Sequence, residues 1–344
     1  MESQSIKFYD KKDIRSQKFD KTGKGAGHLW TKKIGKTTLL KDFLSGCNLK
    51  YKLDSGDNAR TQEIFNSQAF NEILSYAENY ELIAIDEALQ FENIGMGLKI
   101  LVDNLPDLHI IATGSSSFEL SQQVGEPLTG RKKVIMLFPF SQQELISIYN
   151  RLELKEHLEE FLVFGTYPEV VTAKSRTEKI EVLTEIVNSY LLKDILSLEK
   201  IRGTKQILDL IKLIAFQIGR EVSLNELSSQ VKLDVKTVGR YLDLFEKSFI
   251  LYKISSFSRN LRKEVTTKSK YYFFDNGIRN GVILQFNKLS DRSDAGELFE
   301  NFFVMERLKY LFNNSIYRNL YFWRTYDGQE IDLVEEGEGK LLGL

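Results

Sequence analysis

The stretch GHLWTKKIGKTTLL, residues 27–40, sets the tripeptide Gly35-Lys36-Thr37 in front of an apolar run that begins a helix. Phosphate-binding loops have the pattern G-x-x-x-x-G-K-S/T, in which successive backbone N–H groups surround phosphates at the mouth of a helix. In that pattern the lysine neutralises phosphate charge and the hydroxyl after it holds Mg²⁺. Gly35, Lys36, Thr37 and Thr38 supply these parts. Counting back puts the first glycine at position 30, where the sequence has Trp30. The tripeptide alone is weak evidence, so its meaning depends on the residues downstream.

Beyond the loop the chain alternates helical and buried-strand patterns as far as about residue 150, the signature of a parallel sheet flanked by helices. FNSQAFNEILSYAE (65–78) has helical apolar spacing. ELIAIDE (81–87) is a short apolar run that delivers Asp86 and Glu87 to a strand end, where open α/β sheets bind ligands. With a phosphate loop in front, Asp86 would complete the Mg²⁺ shell and Glu87 would orient or deprotonate a water. The bland alternative is a helix start whose two acids suit the helix dipole. A second apolar run, LHIIATGSSS (108–117), ends in small polar residues suited to sensing a terminal phosphate, with Ser115 the candidate. In LTGRKK, Arg131 comes after a glycine and is placed to reach a phosphate of its own or a neighbouring subunit, which makes a homo-oligomer an open expectation. After LFPFSQQEL the pattern changes to long amphipathic helices, expected over roughly 141–163 and 176–200.

In this order the motifs become recognisable. IGKTTLL, LIAIDEA, IIATGSSSFEL, LTGR and FPFSQQEL, then FGTYPEVV, SYLLKDIL, KYYFFDNGIR, GELFEN and YFWRTYDGQEIDLV, resemble the prokaryotic AAA-like ATPases in which a P-loop domain precedes a winged helix and a restriction-endonuclease-like domain. The resemblance runs from residue 35 to 344. It implies ATP and Mg²⁺ as ligands, Lys36 and Thr37 as Walker A residues, Asp86 and Glu87 as Walker B acids, Ser115 as the sensor and Arg131 as the arginine of the GR motif. The expected fold is α/β. A basic leader (1–34) precedes an AAA-like domain (35–150), a helical linker region (151–204), a winged-helix domain (205–280) and a truncated nuclease-like α/β domain (281–344).

The first 34 residues depart from the family pattern, because KTGKGAGHLWTKKI (21–34) is basic and glycine-rich and lacks the apolar strand expected before the loop. Three readings stand open: a loop rebuilt on Gly25 or Gly27, a decayed segment, or a site that binds nucleotide weakly or not at all. The favoured reading is decay, with the supporting strand missing.

In 223–242 the apolar residues Leu224, Leu227, Val231, Val235, Val238 and Leu242 keep helical spacing on either side of a turn, VKLD, as in a helix-turn-helix. Lys236, Thr237 and Arg240 are the candidates for DNA contact, with Arg259, Arg262 and Lys263 in an expected wing. The alternative is a winged helix used for packing, and hence a nucleotide-independent DNA-binding or interaction protein that keeps the ATPase fold. Glu297, Glu300, Glu330 and Asp332 occupy positions at which nuclease-like domains gather carboxylates around Mg²⁺. The chain ends at GKLLGL, where the E-x-K strand is expected, so hydrolysis by these acids is not expected and a solvated sheet edge is the plainer reading.

Composition narrows the rest. A single cysteine and three scattered histidines argue against a zinc site, and a net charge of −1 argues against a polycation. Residues 1–36 nevertheless hold ten Lys/Arg against four Asp/Glu. No apolar run approaches the length of a membrane span and no signal peptide is evident, so the expected location is cytoplasmic with no membrane partner.

Overall fold

Leu82, Ile83, Ala84 and Ile85 expose no surface at all. Burial of consecutive residues requires a layer on each face of the strand. One face carries Ile83 and Ile85 against Phe65, Ile73, Phe91, Leu98 and Leu101. The other carries Leu82 and Ala84 against Leu40, Phe43 and Leu44. In the computed structural model, which describes residues 26–30, 35–114, 128, 134–188, 204–258, 269–325 and 327–344, the chain divides into two units, Met1–Leu137 and Phe138–Leu344.

The first unit holds five parallel strands: Ala26–Trp30 (β1), Tyr51–Ser55 (β2), Leu82–Asp86 (β3), His109–Ala112 (β4) and Val134–Leu137 (β5), in the order β2-β3-β4-β1-β5. Its helices are Lys36–Ser45 (α1), Ala59–Ser67 (α2), Phe70–Ala77 (α3) and Ile94–Asn104 (α4). Two expectations are corrected here. The strand before the loop is present, with Gly27 opposite Val134 and Trp30 opposite Leu137. A parallel ladder is made of backbone N–H and C=O groups, so neighbouring strands can enforce it where the side chains carry no apolar alternation. The helical spacing read over 65–78 does not run through one helix but through two, because Gln68 turns left-handed (φ 54°) between α2 and α3.

The second unit begins with short helices at Gln142–Leu145 (α5), Arg151–Glu156 (α6), Leu158–Phe164 (α7), Pro168–Thr172 (α8) and Arg176–Ile186 (α9). The long helix expected over 141–163 is therefore broken. Ser141 and Asn150 each start a new helix with a capping box, satisfying orphan N–H groups at positions where a continuous helix would have no use for them. Thr204–Phe216 (α10), Leu224–Val231 (α11) and Val235–Lys247 (α12) come next.

The motif FGTYPE is tied to FFDNG in this unit. Asp275, which is buried, accepts hydrogen bonds from the backbone N–H of Thr166 (2.7 Å), Gly277 (2.8 Å) and Ile278 (3.3 Å), capping helix Asn276–Val282 (α13). The final helix is Ala295–Asn313 (α14). Strands Glu221–Val222 (β6), Leu251–Ser256 (β7), Ser269–Phe273 (β8), Asn319–Arg324 (β9), Glu330–Gly337 (β10) and Lys340–Gly343 (β11) form one sheet, ordered β11-β10-β9-β7-β8-β6. The β7–β8 hairpin expected as a wing is thus an interior part of that sheet, since β9 pairs in parallel with β7. Among the described residues no helix is long and apolar enough to cross a membrane.

Candidate functional site

At the C-terminal edge of the first unit's sheet, β4 lies between β1, which leads to α1, and β3, which ends in the acids. Gly35 opens α1 with a left-handed backbone (φ 84°) that glycine adopts without strain, and no side chain caps the N–H groups of the first turn. Those donors, with the positive end of the helix dipole, suit a phosphate. Lys36 is buried, and its Nζ lies 2.7 Å from Glu87 Oε1. Thr37 and Thr38 are exposed, and Thr37 Oγ1 donates to Asp86 Oδ2 at 2.6 Å. The structure therefore brings Lys36, Thr37, Asp86 and Glu87 together.

Thr113, fully buried at the tip of β4, binds both acids. Its hydroxyl donates to Asp86 Oδ1 and accepts from the Glu87 backbone N–H at 3.1 Å. Glu87 itself is left-handed (φ 50°), a conformation uncommon for a residue with a Cβ. It is held from the other side by the turn after β2, where Gly56 N–H donates to the Asp86 carbonyl at 2.7 Å. A Cβ on Gly56 would stand 1.9 Å from the Glu87 carbonyl oxygen, so the approach requires glycine. Gln62 Nε2 in turn donates to the Gly56 carbonyl at 2.6 Å.

The pair of oxygens on Thr37 and Asp86, side by side at the open edge of the sheet, fits a hard divalent cation whose shell is completed by phosphate oxygens and water. Sequence reasoning missed Thr113 and Gly56. Thr113 lies two positions before the chosen Ser115, and Gly56 is one of many turn glycines. Ser115 and Arg131 lie outside the described residues.

In the second unit α11 ends on Lys232, which is left-handed (φ 57°), and α12 begins three residues later under the Asp234 cap. Lys236 and Arg240 are exposed one helical turn apart, with the Arg240 guanidinium 5.4 Å from the Tyr241 ring centre. Thr237 has its hydroxyl given to Asp234 Oδ2 at 2.6 Å and its backbone N–H to Asp234 Oδ1, so it serves the helix cap. Arg259, Arg262 and Lys263 lie outside the described residues.

Glu330 and Asp332 are exposed on β10, as a solvated edge would have them, yet the terminal acids have cationic partners. Glu297 turns to Arg220 at 2.8 Å. Glu300, Glu330 and Asp332 surround the buried Lys270, a residue the sequence reading passed over because a lysine ahead of an aromatic strand looks like a solvated charge. Among the described residues no three His, Cys, Asp or Glu side chains gather in a way that could hold a metal ion.

Comparison with known proteins divides the chain in three. Residues 31–146 match a family described as an AAA domain. Residues 155–290 match a domain of unknown function (DUF8612), and residues 295–344 another (DUF4143). Relatives include an uncharacterised protein of Methanocaldococcus jannaschii, 25% identical over 79% of this chain and 63% of its own length. An uncharacterised protein of Haemophilus influenzae is 28% identical over 51% of this chain and 46% of its own. One of Mycobacterium tuberculosis is 25% identical over 76% of this chain and 57% of its own. The chain thus spans 46% to 63% of the length of these relatives. Among solved structures, a variant of Thermotoga maritima RuvB aligns over 71% of this chain and 87% of its own, with 16% identity and a TM-score of 0.32. In its sequence match and in the pairing of Lys36 and Thr37 with the β3 acids, the N-terminal part of the chain is similar to an AAA-like P-loop ATPase domain.

Proposed function

We propose that the first unit binds ATP with Mg²⁺ and acts as an ATPase or nucleotide switch. The observation that carries this is the meeting of α1 and β3: Lys36 on Glu87 and Thr37 on Asp86, both at the end of a parallel sheet where ligands bind. In this reading Lys36 exchanges its carboxylate partner for phosphate, while Thr37 and Asp86 hold the cation. Glu87, released, orients or deprotonates the attacking water. Thr113 fixes the two acids relative to each other, and Ser115 and Arg131 act as γ-phosphate sensor and transition-state arginine. Isothermal titration with ATP-Mg²⁺ tests the reading: binding is expected, and Lys36→Ala should weaken it by more than tenfold. Absence of binding both in the natural chain and after Trp30→Gly would defeat it.

A DNA-facing role for the α11–α12 helices is supported by the exposed pair Lys236 and Arg240. Duplex binding that falls steeply with salt, weakens in Arg240→Ala and ignores ATP would favour the nucleotide-independent reading instead.

A further inference from the structure

The carboxylates of the second unit are arranged around an ammonium group. Lys270 Nζ lies 2.7 Å from Glu330 Oε1, 3.3 Å from Asp332 Oδ1 and 3.4 Å from Glu300 Oε1. A lysine ammonium has three N–H donors, and here three carboxylate oxygens from two elements, α14 and β10, converge on it. Its side chain is 3% exposed and its Nζ lies 5.4 Å from the Phe322 ring centre, so it is packed in place and does not reach in from solvent. Tyr272, beside it on the same face of β8, donates its hydroxyl to Glu300 Oε1 at 2.6 Å, orienting that carboxylate. Burial works to lower the Lys270 pKa, but the hydrogen bond to Glu330 and the charges of Glu300, Glu330 and Asp332 outweigh it and leave the pKa raised. The group therefore stays charged. Around it lies a cavity of about 610 Å³ that Arg220, Glu297 and Phe299 also line.

A carboxylate set of this kind is where a nuclease-like domain would gather Mg²⁺. Mg²⁺ needs oxygens at about 2.1 Å and Ca²⁺ at about 2.3–2.6 Å, around a point that no other atom occupies. In this chain that point belongs to a lysine nitrogen. A metal at that point would displace a buried ammonium and the three contacts it makes, leaving that charge without partners. The residues present do not fit a divalent cation.

We infer that Lys270 is the resident cation of this pocket, holding the place a divalent metal would take, so that the carboxylate cluster of the second unit is assembled and maintained without metal. The inference is independent of the nucleotide reading. It is tested with Mn²⁺ as the probe, titrated into the full chain carrying Asp86→Asn so that the first unit's acid does not contribute, and monitored by loss of the free-ion paramagnetic resonance signal. No stoichiometric binding is expected up to about 1 mM. The three carboxylates form no metal site as they stand, and Lys270→Met should let them close on one Mn²⁺ at least tenfold tighter than any in the parent and make the melting temperature rise with Mn²⁺, whereas Lys270→Arg should create none. One Mn²⁺ bound by the Asp86→Asn chain and lost on Glu300→Gln overturns the inference, as does a folded Lys270→Met chain that gains no site. Should Lys270→Met fail to fold, with or without Mn²⁺, the Asp86→Asn titration and its Glu300→Gln control decide the matter alone.

Discussion

Replacing Glu87 by glutamine removes the charge that holds Lys36 while leaving an oxygen that can still accept its hydrogen bond. The pair is 2.7 Å long and its lysine side chain is only 4% exposed, so solvent screens it little on that side; the glutamate side chain is 25% exposed, which tempers the estimate. Hydrogen bonds to charged groups contribute about 1.5–3 kcal/mol, and keeping a neutral acceptor retains part of that, leaving about 1–2 kcal/mol for the charge itself. Nucleotide phosphate must compete with Glu87 for Lys36, so Glu87→Gln should tighten binding by roughly 5- to 30-fold. ADP without metal is the right ligand, because hydrolysis and the cation shell then play no part. Isothermal titration at neutral pH gives the two dissociation constants directly. The natural chain and the Glu87→Gln variant binding ADP within twofold of each other would show that the ion pair does not restrain Lys36.

Gly56→Ala drives a Cβ into the Glu87 carbonyl and should lower ATP turnover at least tenfold without weakening ADP binding, because Glu87 is displaced, which loosens its hold on Lys36, while α1 is not; steady-state kinetics beside titration separates the two. Glu246, whose carboxyl is pushed up to about 7 by burial, with Asp243 adding to the rise and Lys253 and Lys247 opposing it, favours the folded state below the ordinary glutamate range; that contribution is lost as pH rises to about 7. Glu246→Gln should therefore stabilise the chain by roughly 1–3 kcal/mol at pH 8 and leave it unchanged near pH 4, as denaturant melts at both pH values would report. Asp275→Ala strips the partner from three buried backbone N–H groups, and each unsatisfied donor costs about 1–3 kcal/mol, so a loss of at least about 3 kcal/mol is expected in chemical denaturation, with Asp275→Asn retaining part of it.

What was legible in the sequence was what side chains announce. The β3 acids stood out because four apolar residues deliver them to a strand end, and the α11–α12 turn because apolar spacing breaks at a polar link. Backbone arrangements were hidden. β1 is held by its ladder to β4 and β5, and nothing in GHLW distinguishes it from a basic loop. Thr113 and Lys270 were hidden for another reason, since the value of each lies in partners distant in sequence: Asp86 for one, Glu300, Glu330 and Asp332 for the other. The breaks at Gln68, Ser141 and Asn150 were overlooked because helical periodicity continues across them in the sequence while caps interrupt it in space.

The parallel pairing of β7 with β9 determines where the second unit can be cut. Its partners are separated in the chain by β8, α13 and α14, so the pairing must close a long stretch of chain, and long-range parallel contacts of this kind are slow to make. A fragment ending at residue 280, where a winged-helix domain would be expected to stop, leaves one side of β7 with open backbone donors and acceptors, an edge ready to pair with another chain. Such a fragment should aggregate on expression, whereas one spanning residues 138–344 keeps every strand of the sheet with its neighbours.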